Sequence, residues 1–143
     1  MNATTPAAKS SLAGATVLVV DDDERDLSWM SAALRGEGCR VLEAGSGEEG
    51  LMVFEDHEGE VDVLLADLSM PGMDGVEFVQ NVRRRSPRPK VIFVSGYRSR
   101  WSGGADQDHF FEKSADSERL VQKVREVLDG KGPALSLLNM VCR

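Results

Sequence analysis

The chain has 143 residues, of which 41% are hydrophobic and 29% are charged, and its net charge is −7; this composition indicates one globular domain. The acidic balance argues against a dedicated nucleic-acid-binding protein, and the two cysteines form neither a disulfide framework nor a metal-ligand spacing. Because the sequence contains neither an apolar run of about 20 residues nor the apolar core of a signal peptide, we expect a cytoplasmic protein without a membrane segment.

Short apolar segments alternate with segments of helical periodicity along the chain, after a small and polar lead-in over residues 1–13 that we expect to be disordered. The alternation predicts an α/β domain over residues 14–130, with a parallel sheet and helices on both of its faces. The second strand is the most polar and suits a sheet edge. The predicted strands are Thr16–Val20, Arg40–Ala44, Val63–Ala66, Val91–Val94 and His109–Glu112.

The helices are predicted from capping residues and apolar spacing. Ser46 and Glu49 form a capping box, and Asp74 and Asp116 precede two further helices. Between the fourth and fifth strands, residues 98–108 contain two adjacent glycines, each costing about 1 kcal/mol in a helix. The helix in that connection is therefore predicted to be shortened or irregular, and residues 131–143 are predicted to form a C-terminal tail.

Asp67 stands at the end of the apolar predicted strand Val63–Ala66, and a Pro-Gly-Met-Asp-Gly turn follows in the chain. This position predicts a carboxylate on a loop at the edge of the sheet, where functional residues concentrate. A helix N-cap is the alternative role for an aspartate there. Asp74 fills that role better because Glu77 follows it three residues later.

Polar side chains follow four of the predicted strands, and the carboxyl ends of parallel strands meet at one edge of a sheet. These residues are Asp21 with Asp22, Asp67, Ser95 and Lys113. Crowded carboxylates need a cation, and Mg²⁺ is the divalent ion best matched to oxygen ligands. A carboxylate nucleophile, Mg²⁺, an ammonium group and a hydroxyl group together suit phosphoryl transfer onto Asp67.

The segments Val19–Asp23, Ala66–Gly75, Val94–Tyr97 and Phe111–Lys113 occur in an order that resembles the receiver domain of two-component response regulators. The resemblance covers residues 15–129 and implies a flavodoxin-like, doubly wound sheet of five strands. It also implies that Asp67 is phosphorylated by a phosphohistidine on a partner, either a histidine kinase or a histidine phosphotransfer protein. Such a domain is a phosphoacceptor rather than an enzyme.

The resemblance further implies a role for each remaining residue. Mg²⁺ would be bound by Asp22, Asp67 and the main-chain carbonyl of Ser69, with Asp21 acting through water. Lys113 would pair with the phosphoryl group or the carboxylate.

Two residues would form the conformational switch in such a domain. Ser95 would supply the hydroxyl group that turns to the phosphoryl group, and Phe110 would be the aromatic residue that follows it. We also expect residues 98–108 to become more ordered on phosphorylation, with Trp101 as the reporter.

The sequence departs from the family pattern at two positions near the site. Ser114 stands where the family usually has a proline in a cis bond after the lysine, and a cis bond between Lys113 and Ser114 would cost about 3–4 kcal/mol. Gly96 replaces the commoner alanine, which we expect to open the phosphoryl site to water.

Three other functions compete with the phosphoacceptor hypothesis. A phosphatase of the haloacid-dehalogenase type would need a second aspartate two residues after Asp67, where Ser69 stands. A nucleotide-binding domain would need a glycine-rich phosphate loop, which the sequence lacks. A pseudo-receiver that binds partners without phosphorylation is the remaining alternative, and the complete acidic set argues against it.

The last 13 residues are too few for a DNA-binding or enzymatic output domain. We therefore expect either a stand-alone regulator or the receiver of a hybrid histidine kinase.

Overall fold

The structure is a computed structural model that describes residues 12–96, 110–113 and 116–130. Strands and helices alternate through these residues, except that β4 and β5 follow each other in the described part. The elements are β1 (Thr16–Val20), α1 (Glu24–Arg35), β2 (Arg40–Ala44), α2 (Gly47–Asp56), β3 (Val63–Asp67), α3 (Gly75–Arg85), β4 (Lys90–Ser95), β5 (Phe110–Glu112) and α4 (Ser117–Leu128).

The five strands form one parallel sheet in the order β2-β1-β3-β4-β5. The polar β2 lies at an edge, as predicted, and the apolar β1 and β3 lie inside. Both central strands are buried along their whole length, because helices cover both faces of a parallel sheet. The predicted doubly wound α/β fold is confirmed.

Alternate residues of the strands enter two separate hydrophobic cores, one on each face of the sheet. Val17 and Val19 pack with α1 and α4, where Met30 and Leu120 are fully buried. Leu18 and Val20 enter the other core with residues of α2 and α3. Each face is thus covered by two of the four described helices.

Aspartate and serine side chains cap all four described helices, as the sequence predicts for three of them. Ser46, Asp74 and Asp116 each accept a hydrogen bond from the backbone N–H three residues later. Asp23 caps α1 by accepting from two backbone N–H groups. The capping box of α2 is modified, because Glu49 accepts from the N–H of Gly45, one residue before the cap.

The folded chain begins earlier than predicted, because Leu12 and Ala13 belong to the domain. Leu12 is fully buried in the core beneath α1, and the turn after it is joined to the α1–β2 connection by a hydrogen bond from Gly14 N–H to the Gly38 carbonyl. Leucine supplies the apolar surface that the preceding polar residues lack. The lead-in therefore ends before residue 12.

Several predictions concern residues outside the described ranges. They are the irregular helix and ordering segment over residues 98–108 with Trp101, the tail over residues 131–143, the bond between Lys113 and Ser114, and His109 as the first residue of β5. Among the described residues, no helix has the length and apolar character needed to cross a membrane.

Candidate functional site

The carboxyl ends of the strands bring the predicted polar residues together at one edge of the sheet. Asp21 directly follows β1, Asp67 is the last residue of β3, and Lys113 directly follows β5. Ser95 ends β4, and its carbonyl accepts a hydrogen bond of 2.8 Å from the N–H of Lys113. The parallel register thus brings four separate sequence positions to one edge of the sheet.

Lys113 is the centre of this cluster, because its ammonium group contacts three carboxylates from three elements. Its Nζ atom donates hydrogen bonds to Asp26 Oδ2 at 2.8 Å and to Asp67 Oδ2 at 3.2 Å. Asp21 Oδ2 lies 2.7 Å from Nζ as an ion pair. Only 10% of the lysine side chain is exposed. Burial alone would lower the pKa of Lys113, but the surrounding carboxylates raise it, so the ammonium group stays charged.

Asp21 is a fully buried carboxylate with a partner for each of its oxygens. Its Oδ1 accepts a hydrogen bond from the N–H of Asp23 at 2.9 Å. Its Oδ2 forms the ion pair with Lys113 at 2.7 Å. Desolvation is the main reason that the pKa of Asp21 is raised to about 6, and the negative charge of Asp67 adds to it.

Asp21, Asp22 and Asp67 each offer a carboxylate oxygen, and these three oxygens lie within 4.8 Å of one another. Asp22 is exposed whereas the other two are buried. A cluster of hard oxygen donors of this size fits a Mg²⁺ ion. The single ammonium group of Lys113 does not balance the three negative charges of Asp21, Asp22 and Asp67, and a bound cation would offset the remaining charge.

The carboxylate of Asp67 is held from two sides. Oδ1 accepts a hydrogen bond from the N–H of Ser69 at 3.1 Å, and Oδ2 accepts one from Lys113. The sequence placed Asp67 on a loop, and this is wrong, because the residue belongs to β3 and only 4% of it is exposed. Its backbone pairs with β4 at Val94, which extends the strand through the aspartate.

Gly75, the first residue of α3, lies directly against the backbone of Asp67. A Cβ atom at position 75 would lie 2.2 Å from the main-chain carbonyl oxygen of Asp67. Real Cβ atoms do not approach backbone atoms so closely, so only glycine allows α3 to begin at this place. The glycine that ends the Pro-Gly-Met-Asp-Gly turn therefore fixes the distance between α3 and the site.

The two predicted switch residues lie on neighbouring strands. Ser95 is half-buried, and its register partner on β5 is Glu112. Phe110 is also half-buried and packs against the core beneath α2 and α3. Both residues therefore lie at or near the surface, where a change of side-chain position meets less resistance than in a core.

Asp26 belongs to the cluster although the sequence did not single it out. It lies in the first turn of α1, and acidic residues in a first turn ordinarily serve the helix dipole. Nothing in the spacing of Asp26 distinguishes it from Glu24 in the same turn. Only the tertiary packing of α1, whose Trp29 stacks on Phe111 of β5, brings its carboxylate to Lys113.

Residues 17–125 match the model of the response regulator receiver domain family. Among curated proteins, the chain is similar to the sensor kinase CckA of Brucella abortus, with 43% identity over 83 residues. That match covers 58% of this chain but only 9% of the kinase. The chain is thus similar to a small part of a much longer protein.

Solved structures of receiver domains have the same fold as this chain. The receiver domain of the hybrid histidine kinase CckA has a TM-score of 0.67 and 32% identity, covering 79% of this chain and 98% of that chain. The chemotaxis protein CheY4 of Vibrio cholerae has a TM-score of 0.71 and 27% identity, covering 80% of this chain and 99% of that chain.

Proposed function

This chain belongs to the response regulator receiver domain family, and from that premise we propose that Asp67 accepts a phosphoryl group from a phosphohistidine on a partner protein. The observation that carries the proposal is the buried Asp67 carboxylate, which faces both Lys113 and the carboxylates of Asp21 and Asp22. The Asp67 carboxylate is a nucleophile that is shielded from solvent and lies beside the positive charge of Lys113. Its role is that of a phosphoacceptor, which is modified once in each cycle.

In the proposed transfer, a carboxylate oxygen of Asp67 attacks the phosphorus atom and forms a new P–O bond. The P–N bond to the imidazole breaks, and its electron pair returns to the ring nitrogen. The ring is protonated on its other nitrogen, so it leaves as neutral imidazole. Lys113 donates to the phosphoryl oxygens as charge develops on them, because its ammonium group already lies 3.2 Å from the Asp67 carboxylate.

Asp22, Asp67 and the main-chain carbonyl of Ser69 would hold a Mg²⁺ ion, with Asp21 acting through a bound water. When bound, the ion supplies positive charge that offsets the phosphoryl oxygens. The hydrogen bond from the Ser69 N–H to Asp67 Oδ1 supports this proposal, because it holds the Ser69 backbone beside the carboxylate.

The proposed output is a change in the surface around β4 and β5. The Ser95 hydroxyl turns to the phosphoryl group, and Phe110 follows it. Both residues are half-buried, which leaves room for such a movement. The partner on the input side is a histidine kinase or a histidine phosphotransfer protein.

The second candidate function is a binding module that acts without phosphorylation. It would not need a lysine that contacts three carboxylates in a nearly closed site, since buried charges are costly to keep. We therefore prefer the phosphoacceptor.

Intact-mass measurement tests the proposal. After incubation with acetyl phosphate and Mg²⁺, the wild-type protein should gain the mass of one phosphoryl group, whereas Asp67→Asn should gain none. Asp56→Asn is the matched control, because Asp56 is an exposed aspartate at the end of α2, and it should label like wild type. Equal labelling of Asp67→Asn would contradict the assignment.

A further inference from the structure

Lys113 is shared among three carboxylates, and two of them, on Asp26 and Asp67, differ in their distance from its ammonium group. Its hydrogen bond to Asp26 is 2.8 Å long, and its hydrogen bond to Asp67 is 3.2 Å long. The ammonium group is therefore bound more closely on the α1 side than on the phosphoacceptor side. An ammonium group has three hydrogens to donate, and in the described residues three carboxylates surround it. A phosphoryl oxygen can therefore bind the ammonium group only if one of these carboxylates releases it.

Asp26 differs from the other two carboxylates in its exposure to solvent. The Asp21 and Asp67 side chains are almost completely buried, whereas 36% of the Asp26 side chain is exposed. Water can solvate the Asp26 carboxylate if the lysine leaves it. Releasing Lys113 from Asp26 is therefore less costly than releasing it from a buried carboxylate.

A phosphoryl group on Asp67 would add nearly two negative charges and three strong acceptor oxygens. On the proposed function of Asp67, we infer that Asp26 is a positioning residue that holds Lys113 towards α1 and competes with the phosphoryl group for its ammonium. Asp26 thus lowers the affinity of the site for a phosphoryl group while keeping the lysine ordered before phosphorylation. Asp21, 2.7 Å from Nζ, keeps the lysine within the site when Asp26 is neutralised.

Beryllofluoride tests the competition because it occupies the place of a phosphoryl group on an aspartate without a chemical step. Its affinity is measured by isothermal titration calorimetry at saturating Mg²⁺. Asp26→Asn should bind beryllofluoride about threefold or more tightly than wild type. This gain is smaller than the tenfold or more of a buried charge-assisted hydrogen bond, because 36% of the Asp26 side chain is exposed. Uptake of phosphoryl from acetyl phosphate should accelerate in the same variant.

Two matched variants separate competition from general effects of charge and structure. Glu24→Gln removes the same charge from the same turn of α1, and Glu24 is not among the carboxylates that pair with Lys113 in the described residues. Asp26→Glu retains a carboxylate within reach of Nζ. Both should bind beryllofluoride like wild type, and all variants should melt cooperatively.

Unchanged or weaker binding by Asp26→Asn, with wild type binding normally, would overturn the inference and leave the proposed function intact. A gain in Glu24→Gln equal to that in Asp26→Asn would also overturn it, because the effect would then be one of net charge. If wild type neither binds beryllofluoride nor takes up phosphoryl, the proposed function fails and the inference fails with it.

Discussion

At the scale of one residue, the buried charge of Asp21 lowers the stability of the folded protein. The carboxylate is fully buried, and desolvation raises its pKa to about 6. At neutral pH the folded protein therefore keeps a charge that burial disfavours. Replacing it by an isosteric neutral group would remove this cost, which is the pattern expected of residues retained for function.

We predict that Asp21→Asn is more stable than wild type at pH 7 in the absence of Mg²⁺, by up to about 3 kcal/mol. The folded-state pKa of Asp21 is above its unfolded value of 3.8, so its contribution to stability is most favourable below about pH 4. That contribution is lost as the pH rises through about 6. The difference between variant and wild type should therefore vanish near pH 4 and grow to a plateau above pH 6.

Urea unfolding at several pH values measures this difference. Asp22→Asn is the control, since Asp22 is exposed and its replacement should change stability little. A difference that does not depend on pH would contradict the role of Asp21 burial.

The same burial predicts how Mg²⁺ binding depends on pH. Protonation of Asp21 removes one negative charge from the three-carboxylate cluster, so Mg²⁺ affinity should fall as the pH is lowered through about 6. Affinity at pH 5 should be about tenfold weaker than at pH 7, the effect of one proton over one pH unit below the pKa. Calorimetric titration measures it, and Asp22→Ala should weaken binding at both pH values. Constant affinity across this range would contradict the prediction.

At the scale of the element, the turn from β3 to α3 decides where Asp67 stands. The sequence predicted the strand, the turn and the capping aspartate correctly, because each has a local signal in apolar runs, glycine and proline, or a capping residue. It did not predict that β3 would extend through Asp67, or that Asp26 of α1 would contact Lys113. Both depend on contacts between distant segments. One is the pairing of Asp67 with Val94 on β4, and the other is the packing of α1, whose Trp29 stacks on Phe111 of β5.

We predict that Gly75→Ala is destabilising by about 1–3 kcal/mol, because its methyl group would collide with the Asp67 carbonyl. The backbone movement that relieves this collision should displace Asp67 and slow its phosphorylation. Gly96→Ala is the matched glycine variant, since a Cβ at position 96 meets no atom of the described residues within 4 Å. Its stability should stay within about 0.5 kcal/mol of wild type.

Gly96→Ala should nevertheless lengthen the lifetime of the phosphorylated protein, because a methyl group at this exposed position would restrict water. Thermal melting and the decay of the phosphorylated mass measure the two effects. If Gly75→Ala is as stable as Gly96→Ala and labels at the same rate, the close approach of α3 to Asp67 has no consequence.

At the scale of the whole molecule, one hydrophobic core packs on each face of the sheet. The site lies at the carboxyl ends of the strands. The order of buried strands and capped helices was enough to predict this architecture, because hydrophobic patterning and helix signals agree along the chain. The same pattern predicted that Asp21, Asp67, Ser95 and Lys113 share one edge. The distances within the cluster, and the choice of Lys113 partners, come only from packing between elements.

The central claim is that Asp67 itself carries the phosphoryl group. Reduction of an acyl phosphate with borohydride converts the modified aspartate to homoserine, and peptide mass spectrometry then locates the converted residue. After incubation with acetyl phosphate and Mg²⁺, we expect homoserine at position 67 and at no other aspartate. Homoserine at Asp21, Asp22 or Asp26, or unmodified Asp67 in protein that has gained phosphoryl mass, would contradict the account.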